Sequence, residues 1–275
     1  MSIPIPTLHL FPVLQNNLIE LLRSLNEKEW QTQTVARLWK VKDVAAHILD
    51  GNLRRIAAMR DGWQSPPDRL IASNDDLVGY LNDLNAAWVK AYKRVSPQQL
   101  IEMIEASWTP FLQALESRDP YSDATWSVNW AGQAHSLHWL DTAREFTEKW
   151  LHQQQIRDAV KKPGILTDEL YHPFLQIFLL ALPYTYRTTD AVAGTCLQFT
   201  ITGAGGGDWW LVKNGSWELH PEPAGKLAAH TTIDGNVAWK LFSASWRKID
   251  IENKIQIEGD RLLGGRILDM VSVMA

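Results

Sequence analysis

The chain has 275 residues, of which 45% are hydrophobic and 21% charged, the profile of one large or two ordinary globular domains with a sizeable core. Its formal charge of -4 is spread over both signs without a basic block, which argues against a nucleic-acid partner. The one cysteine, Cys196, cannot close an intramolecular disulfide, no apolar run is long enough to cross a membrane, and the N-terminus lacks a signal-peptide pattern. A cytoplasmic protein is expected.

Apolar residues at helical spacing from Leu8 to Leu25 predict a first helix. The polar stretch Glu27 to Lys40 reads as a connection. A second helix is expected from Val41 to Arg60, with Val44, Ala45 and Ile48 on its apolar stripe and His47 at the border of that stripe. Asp61-Gly-Trp-Gln-Ser-Pro-Pro-Asp68 is a loop. A third helix should run from Asn74 to about Arg94. A fourth should run from Ser96-Pro97, a cap followed by proline at the first helical position, to about Ser117. A last long helix is expected over about Gln133 to Val160. Long antiparallel helices with short links make a bundle, and bundles build metal sites from side chains on facing helices.

The pattern changes after Lys161-Lys-Pro-Gly164, so a boundary is placed there, with domains 1–162 and 163–275. An apolar helix from Asp168 to Leu182 precedes strand-like runs at 195–202, 209–213, 216–219, 230–233 and 254–257. Asn214-Gly215 is a hairpin turn, and helices are expected over 236–242 and 260–270. Gly203-Ala-Gly-Gly-Gly207 has no helix after it and reads as a hairpin loop, not a phosphate cradle. Cys196 lies in a strand-like run and is expected to be a small core residue. The fold class expected is α+β, a helical bundle followed by a small mixed domain.

The chemistry concentrates in Arg144-Glu-Phe-Thr-Glu148-Lys-Trp-Leu-His152, where Glu148 and His152 fall one helical turn apart on one face. A catalytic zinc needs a third ligand and an open position, and His47 is the best third candidate. Other readings stand beside this one. His135 and His138 could replace one ligand, or the three residues could form buried hydrogen bonds without any metal. Glu145, one turn before Glu148, is the nearest substitute for a hydrolase's general base. Asp43, one turn before His47, is expected to orient that imidazole. Trp130 and Trp139 are candidate pocket walls.

Trp39-Lys-Val-Lys-Asp43-Val-Ala-Ala-His47 and the Glu148–His152 helix, in this order and separation, resemble the two ligand helices of the mycothiol-dependent maleylpyruvate isomerase family. That family's metal-binding half is a DinB-like four-helix bundle. Thr232-Ile-Asp-Gly235, Trp239 and Ile257-Glu-Gly-Asp260 are similar to its sterol-carrier-like second domain. The resemblance implies a divalent metal, most often zinc, on His47, Glu148 and His152. Its open position would take water or the thiolate of mycothiol, bacillithiol or glutathione. The thiolate would add to a small electrophile in an isomerase or S-transferase reaction. It also implies an arginine gripping the substrate carboxylate, for which Arg247 is the candidate and Arg266 the competitor. A non-catalytic metal or small-ligand binding protein and a zinc hydrolase are the alternatives, and either a monomer or a homodimer fits.

Overall fold

The computed structural model describes residues 2–126, 135–246 and 248–270. The described residues separate into two compact units. One comprises Leu8–Asp119 and Glu148–Gly164; the other holds the rest, including the segment from Pro120 to Thr147 and everything after Ile165.

The first unit is a helical bundle built from α1 (Phe11–Arg23), a short α2 (Glu27–Trp30), α3 (Val41–Met59), α4 (Asn74–Tyr92), α5 (Pro97–Glu116) and the later part of α6 (His138–Val160). Its starts are chemically marked. Ser73 accepts from the Asp76 amide, and Ser96 accepts from the Gln99 amide with Pro97 just inside the helix. The core is one apolar cluster in which Leu22, Val41, Val44, Ala45, Leu49, Leu100, Ile104 and Ile156 are almost wholly buried. Each large aliphatic side chain buried in this way contributes about 1.5–3 kcal/mol. Trp88 adds a polar tie, its indole N–H donating to the Ala46 carbonyl at 2.8 Å.

Two expectations need correction here. The stretch 27–40 is not a plain connection: Asn26 and Glu29 close a capping box, with Asn26 Oδ1 accepting from the Glu29 amide and the Glu29 carboxylate accepting from the Asn26 amide. That reciprocal pair starts α2, whose Trp30 is buried in the core. Helix α6 begins at His138, so His135 precedes the helix and does not share its surface with His138; residue 133 lies outside the described residues. At the other end of α6, Lys161 takes φ 56°, the left-handed conformation that stops a helix.

The second unit contains a five-stranded sheet in the order β3-β2-β1-β4-β5, from β1 (Thr195–Ile201), β2 (Gly207–Asn214), β3 (Ser216–His220), β4 (Lys226–Ile233) and β5 (Ile255–Gly259). The pair β1/β4 is parallel and the other three are antiparallel. Asn214 pairs with Ser216 across the turn, and Gly215 takes the positive φ of 75° that so short a reversal demands. The glycine-rich segment joins β1 to β2 as a hairpin connection over 202–206, with Gly207 already in β2, and Cys196 is buried.

Helices α7 (Asp168–Leu179), α8 (Leu182–Tyr186) and α9 (Gly235–Phe242) belong to this unit. Tyr171 and Tyr186 each donate a phenolic hydrogen bond of 2.7 Å, to the Gly235 and Leu263 carbonyls. Burial pushes both phenols far above their ordinary pKa, so they stay neutral donors. A short α10 (Lys248–Ile251), not anticipated from the sequence, sits before β5. The helix expected over 260–270 is interrupted: α11 covers Arg261–Gly265 and a 3-10 turn follows, because paired glycines at 264 and 265 disfavour a continued α-helix. No described helix is long and apolar enough to cross a membrane.

Candidate metal centre

His47, Glu148 and His152 all lie in the bundle unit, on α3 and α6. The apolar stripe of α3 sets the first: Val44 and Ile48 are buried, and His47 follows them in at the edge, half-buried. On α6 the three-residue gap brings His152 Nε2 to 3.5 Å from Glu148 Oε2. The His47 and His152 rings meet edge to face with centroids 4.7 Å apart.

His152 Nδ1 lies 3.0 Å from Gln155 Oε1. A carbonyl oxygen accepts only, so in the tautomer that donates from Nδ1 the Nε2 lone pair faces Glu148. Two acceptors then converge at 3.5 Å, an arrangement stabilised by a cation or a proton between them. His47 is held neutral: burial drives its pKa well below the ordinary histidine value, and the nearby cations Arg54 and Lys149 push the same way. Its Nδ1 is sealed from solvent and has no hydrogen-bond partner. A neutral imidazole with unused nitrogen capacity, beside a second imidazole and a carboxylate, fits the donor set of a borderline ion such as zinc.

Among the described residues, no three His, Cys, Asp or Glu side chains converge closely enough to enclose a metal ion. The structure brings the three candidates together pairwise, through His152. His138 opens α6 nearly four turns before His152 and is engaged locally, 3.4 Å from Thr142 Oγ1 and 4.0 Å from Asp141. Arg266 is paired with Asp269 at 2.8 Å. Arg247 and Trp130 lie outside the described residues, and Trp139 is half-buried.

Asp43 does not orient His47. Its carboxylate accepts from the Lys40 amide at 3.0 Å and closes the N-terminus of α3. Sequence reasoning also missed what covers the histidines. The Trp39 ring stands 4.7 Å from His47 and 6.2 Å from His152. Its backbone is fixed by three donors to one carbonyl: Gln33 Nε2 at 2.8 Å, Thr34 N at 3.2 Å and Thr34 Oγ1 at 2.8 Å. A polar stretch with no period hides such a strap, because its order comes from side chains bonding back to backbone.

A buried polar group was missed as well. Lys149 Nζ donates to the Ile48 carbonyl at 3.3 Å and to Asn52 Oδ1, and sits 4.6 Å from the Phe111 ring centroid. Asp50 is paired with Arg54 at 2.9 Å, yet burial still raises its pKa.

Residues 13–157 match the family model described as the mycothiol maleylpyruvate isomerase N-terminal domain. Two solved structures share the fold over 91% of both chains. One is the mycothiol-dependent maleylpyruvate isomerase, at 11% identity and a TM-score of 0.52. The other is a variant of that enzyme with one histidine replaced by alanine, at 10% identity and a TM-score of 0.52. No curated protein matches the sequence.

Proposed function

This chain belongs to the mycothiol maleylpyruvate isomerase N-terminal domain family, and we propose that it is a metal- and thiol-dependent isomerase or S-transferase acting on a small electrophile. The observation that carries the reading is the pair of contacts at His152. One ring nitrogen is fixed by Gln155 while the other faces the Glu148 carboxylate, beside a neutral and orphaned His47. We assign His47, Glu148 and His152 as holders of a divalent ion, with the metal-holding part in 1–162 and the substrate-gripping part, with Arg247 or Arg266, in 163–275. A zinc-type ion would supply a Lewis acid that keeps a low-molecular-weight thiol ionised near neutral pH.

The chain's own side chains do the rest. Gln155 Oε1, 3.0 Å from His152 Nδ1, would favour the tautomer in which Nε2 presents its lone pair. Burial keeps His47 unprotonated, and therefore able to donate electrons, through the physiological range. The Trp39 ring excludes water from one side of both imidazoles. Mycothiol, bacillithiol or glutathione, when bound, would supply a sulfur nucleophile toward an activated double bond of the substrate. Such a nucleophile would serve an isomerase if it were released again, and an S-transferase if it stayed bonded to carbon and the product gained a proton.

The test pairs metal content with thiol binding. The wild-type protein should carry about one zinc per chain and His47→Ala close to none, with helical content unchanged. The cobalt-substituted protein, titrated with the three thiols, should develop a thiolate-to-cobalt charge-transfer band with one of them. No band with any thiol, together with ester or amide hydrolysis lost in Glu145→Gln, would overturn the reading in favour of a hydrolase.

A further inference from the structure

We propose that Lys149 is a positioning residue that clamps the two ligand-bearing helices in register. It follows Glu148 directly and so projects from α6 about 100° around the helix from the ligand face, into the bundle. There it is buried, and its ammonium donates to the carbonyl of Ile48, the residue directly after His47. The clamp therefore joins the neighbour of one ligand to the neighbour of another.

The same ammonium starts a one-way chain of donors across three helices. Lys149 donates to Asn52 Oδ1 on α3. Asn52 Nδ2 donates to Ser107 Oγ on α5 at 2.8 Å, and Ser107 Oγ donates to the Ile104 carbonyl at 2.9 Å. All three side chains are buried. The Phe111 ring presents its face to the ammonium at 4.6 Å, which gives the buried charge further support. The fold spends stability on such a group, since an apolar side chain of similar length would be cheaper to bury. What it gains is register: the ammonium reaches its two acceptors on α3 only when α6 and α3 are aligned as they are. An apolar Met would tolerate a slide of α6 along α3, and a slide of one residue is about 1.5 Å, enough to misplace a ligand.

The inference rests on the metal reading for its purpose but not for its geometry, and the experiment separates the two. The full-length Lys149→Met variant is compared with wild type by urea unfolding and zinc affinity in chelator competition. In the metal-free protein, the nuclear Overhauser effect between the His47 and His152 rings is also measured. Cooperative unfolding should be retained, the ring-to-ring signal should weaken, and zinc affinity should fall ten- to a hundredfold, the effect typical of groups that support ligands.

Ser107→Ala, at the far end of the chain of donors, leaves the Nζ hydrogen bonds to Ile48 and Asn52 in place and should keep wild-type affinity. An affinity loss there as large as in Lys149→Met would mean general loosening of the core and overturn the proposal. So would a folded Lys149→Met with unchanged ring-to-ring signal and affinity. Should Lys149→Met not fold, Asn52→Leu removes one acceptor and keeps the charge; unchanged zinc affinity and ring-to-ring signal in that variant also overturn it. A wild-type protein that binds no zinc, yet whose ring-to-ring signal disappears in Lys149→Met, sinks the metal reading and leaves the clamp standing.

Discussion

Helices α6 and α7 follow one another in the chain and are both buried, but for opposite reasons. In α7 the buried residues are Leu170, Tyr171, Phe174, Leu175, Ile177, Phe178 and Leu179, an apolar set whose only polar group, the Tyr171 hydroxyl, is satisfied. In α6 the buried set includes Asp141, Thr142, Glu145, Thr147, Lys149, Gln153, Gln154, Gln155 and Arg157. Burying such groups costs free energy unless each is paired, and stability alone gives no reason to choose them. α7 is what a helix looks like when packing decides its sequence. α6 is what one looks like when its side chains must present donors and acceptors to something.

The largest test of that contrast is in α7. Phe174 is fully buried, with its ring 4.3 Å from that of Phe178. Phe174→Ala should cost about 3–5 kcal/mol in urea unfolding, because it leaves a cavity in a close-packed apolar layer. Zinc content of the folded fraction should be unchanged. A loss under about 1 kcal/mol would mean that α7 is not the structural helix described.

The same contrast explains what the sequence disclosed. The long bundle helices were legible, because α1, α3 and α5 each carry an apolar stripe and α5 opens with a serine cap; α4 was placed from Asn74, although the residue that caps it is Ser73. The Asn214-Gly215 hairpin was legible for a similar reason: one residue type answers one backbone demand. Glu148 and His152 could be paired from spacing alone, since a helix fixes what stands one turn away. Trp39 over the histidines, Asp43 at the helix start and Lys149 in the interior could not. Each depends on a partner distant in the chain or on a backbone bond, and no period records either. Polarity hides Lys149 and Gln153 most, because lysine and glutamine are ordinarily surface residues and both are buried here.

Gln153 gives a sharper test, with the opposite sign from the first. Its side chain is fully buried and neither amide atom has a hydrogen-bond partner; Gln15 Nε2 is in the same condition. Both residues, with Lys149, Phe11, Leu14, Leu18 and Trp108, line a cavity of about 10 Å³, close to the smallest that holds one water. Gln153→Met keeps the length and removes the unsatisfied amide, so it should stabilise the protein by about 1–2 kcal/mol. A destabilisation of the same size would show that the amide is satisfied, through water in that cavity, and would bring Gln153 into the set of α6 residues held for their bonds.

The smallest effect is a pH dependence, and it tests whether the contrast reaches the site itself. Burial holds the folded-state pKa of His47 well below the ordinary value of about 6.5 that an unfolded chain would show. Above about pH 6.5 the imidazole is neutral in both states, and stability does not vary with pH on its account. Below that, the unfolded chain takes up a proton that the folded protein refuses, so metal-free protein loses stability as pH falls toward the folded pKa. One such group can contribute a slope of at most about 1.4 kcal/mol per pH unit. Asp50 acts in the other direction, since burial raises its pKa and folding then favours the protonated carboxyl as pH falls. The two are separated by His47→Gln, which removes the imidazole and leaves Asp50 in place. Urea unfolding at intervals from pH 7.5 to 5 should give a steeper fall for the metal-free wild type than for His47→Gln, with the curves parting below about pH 6.5. Parallel curves would mean that the folded protein protonates His47 as readily as the unfolded chain does. His47 would then be an exposed surface residue, and the case for an uncharged ligand there would fail.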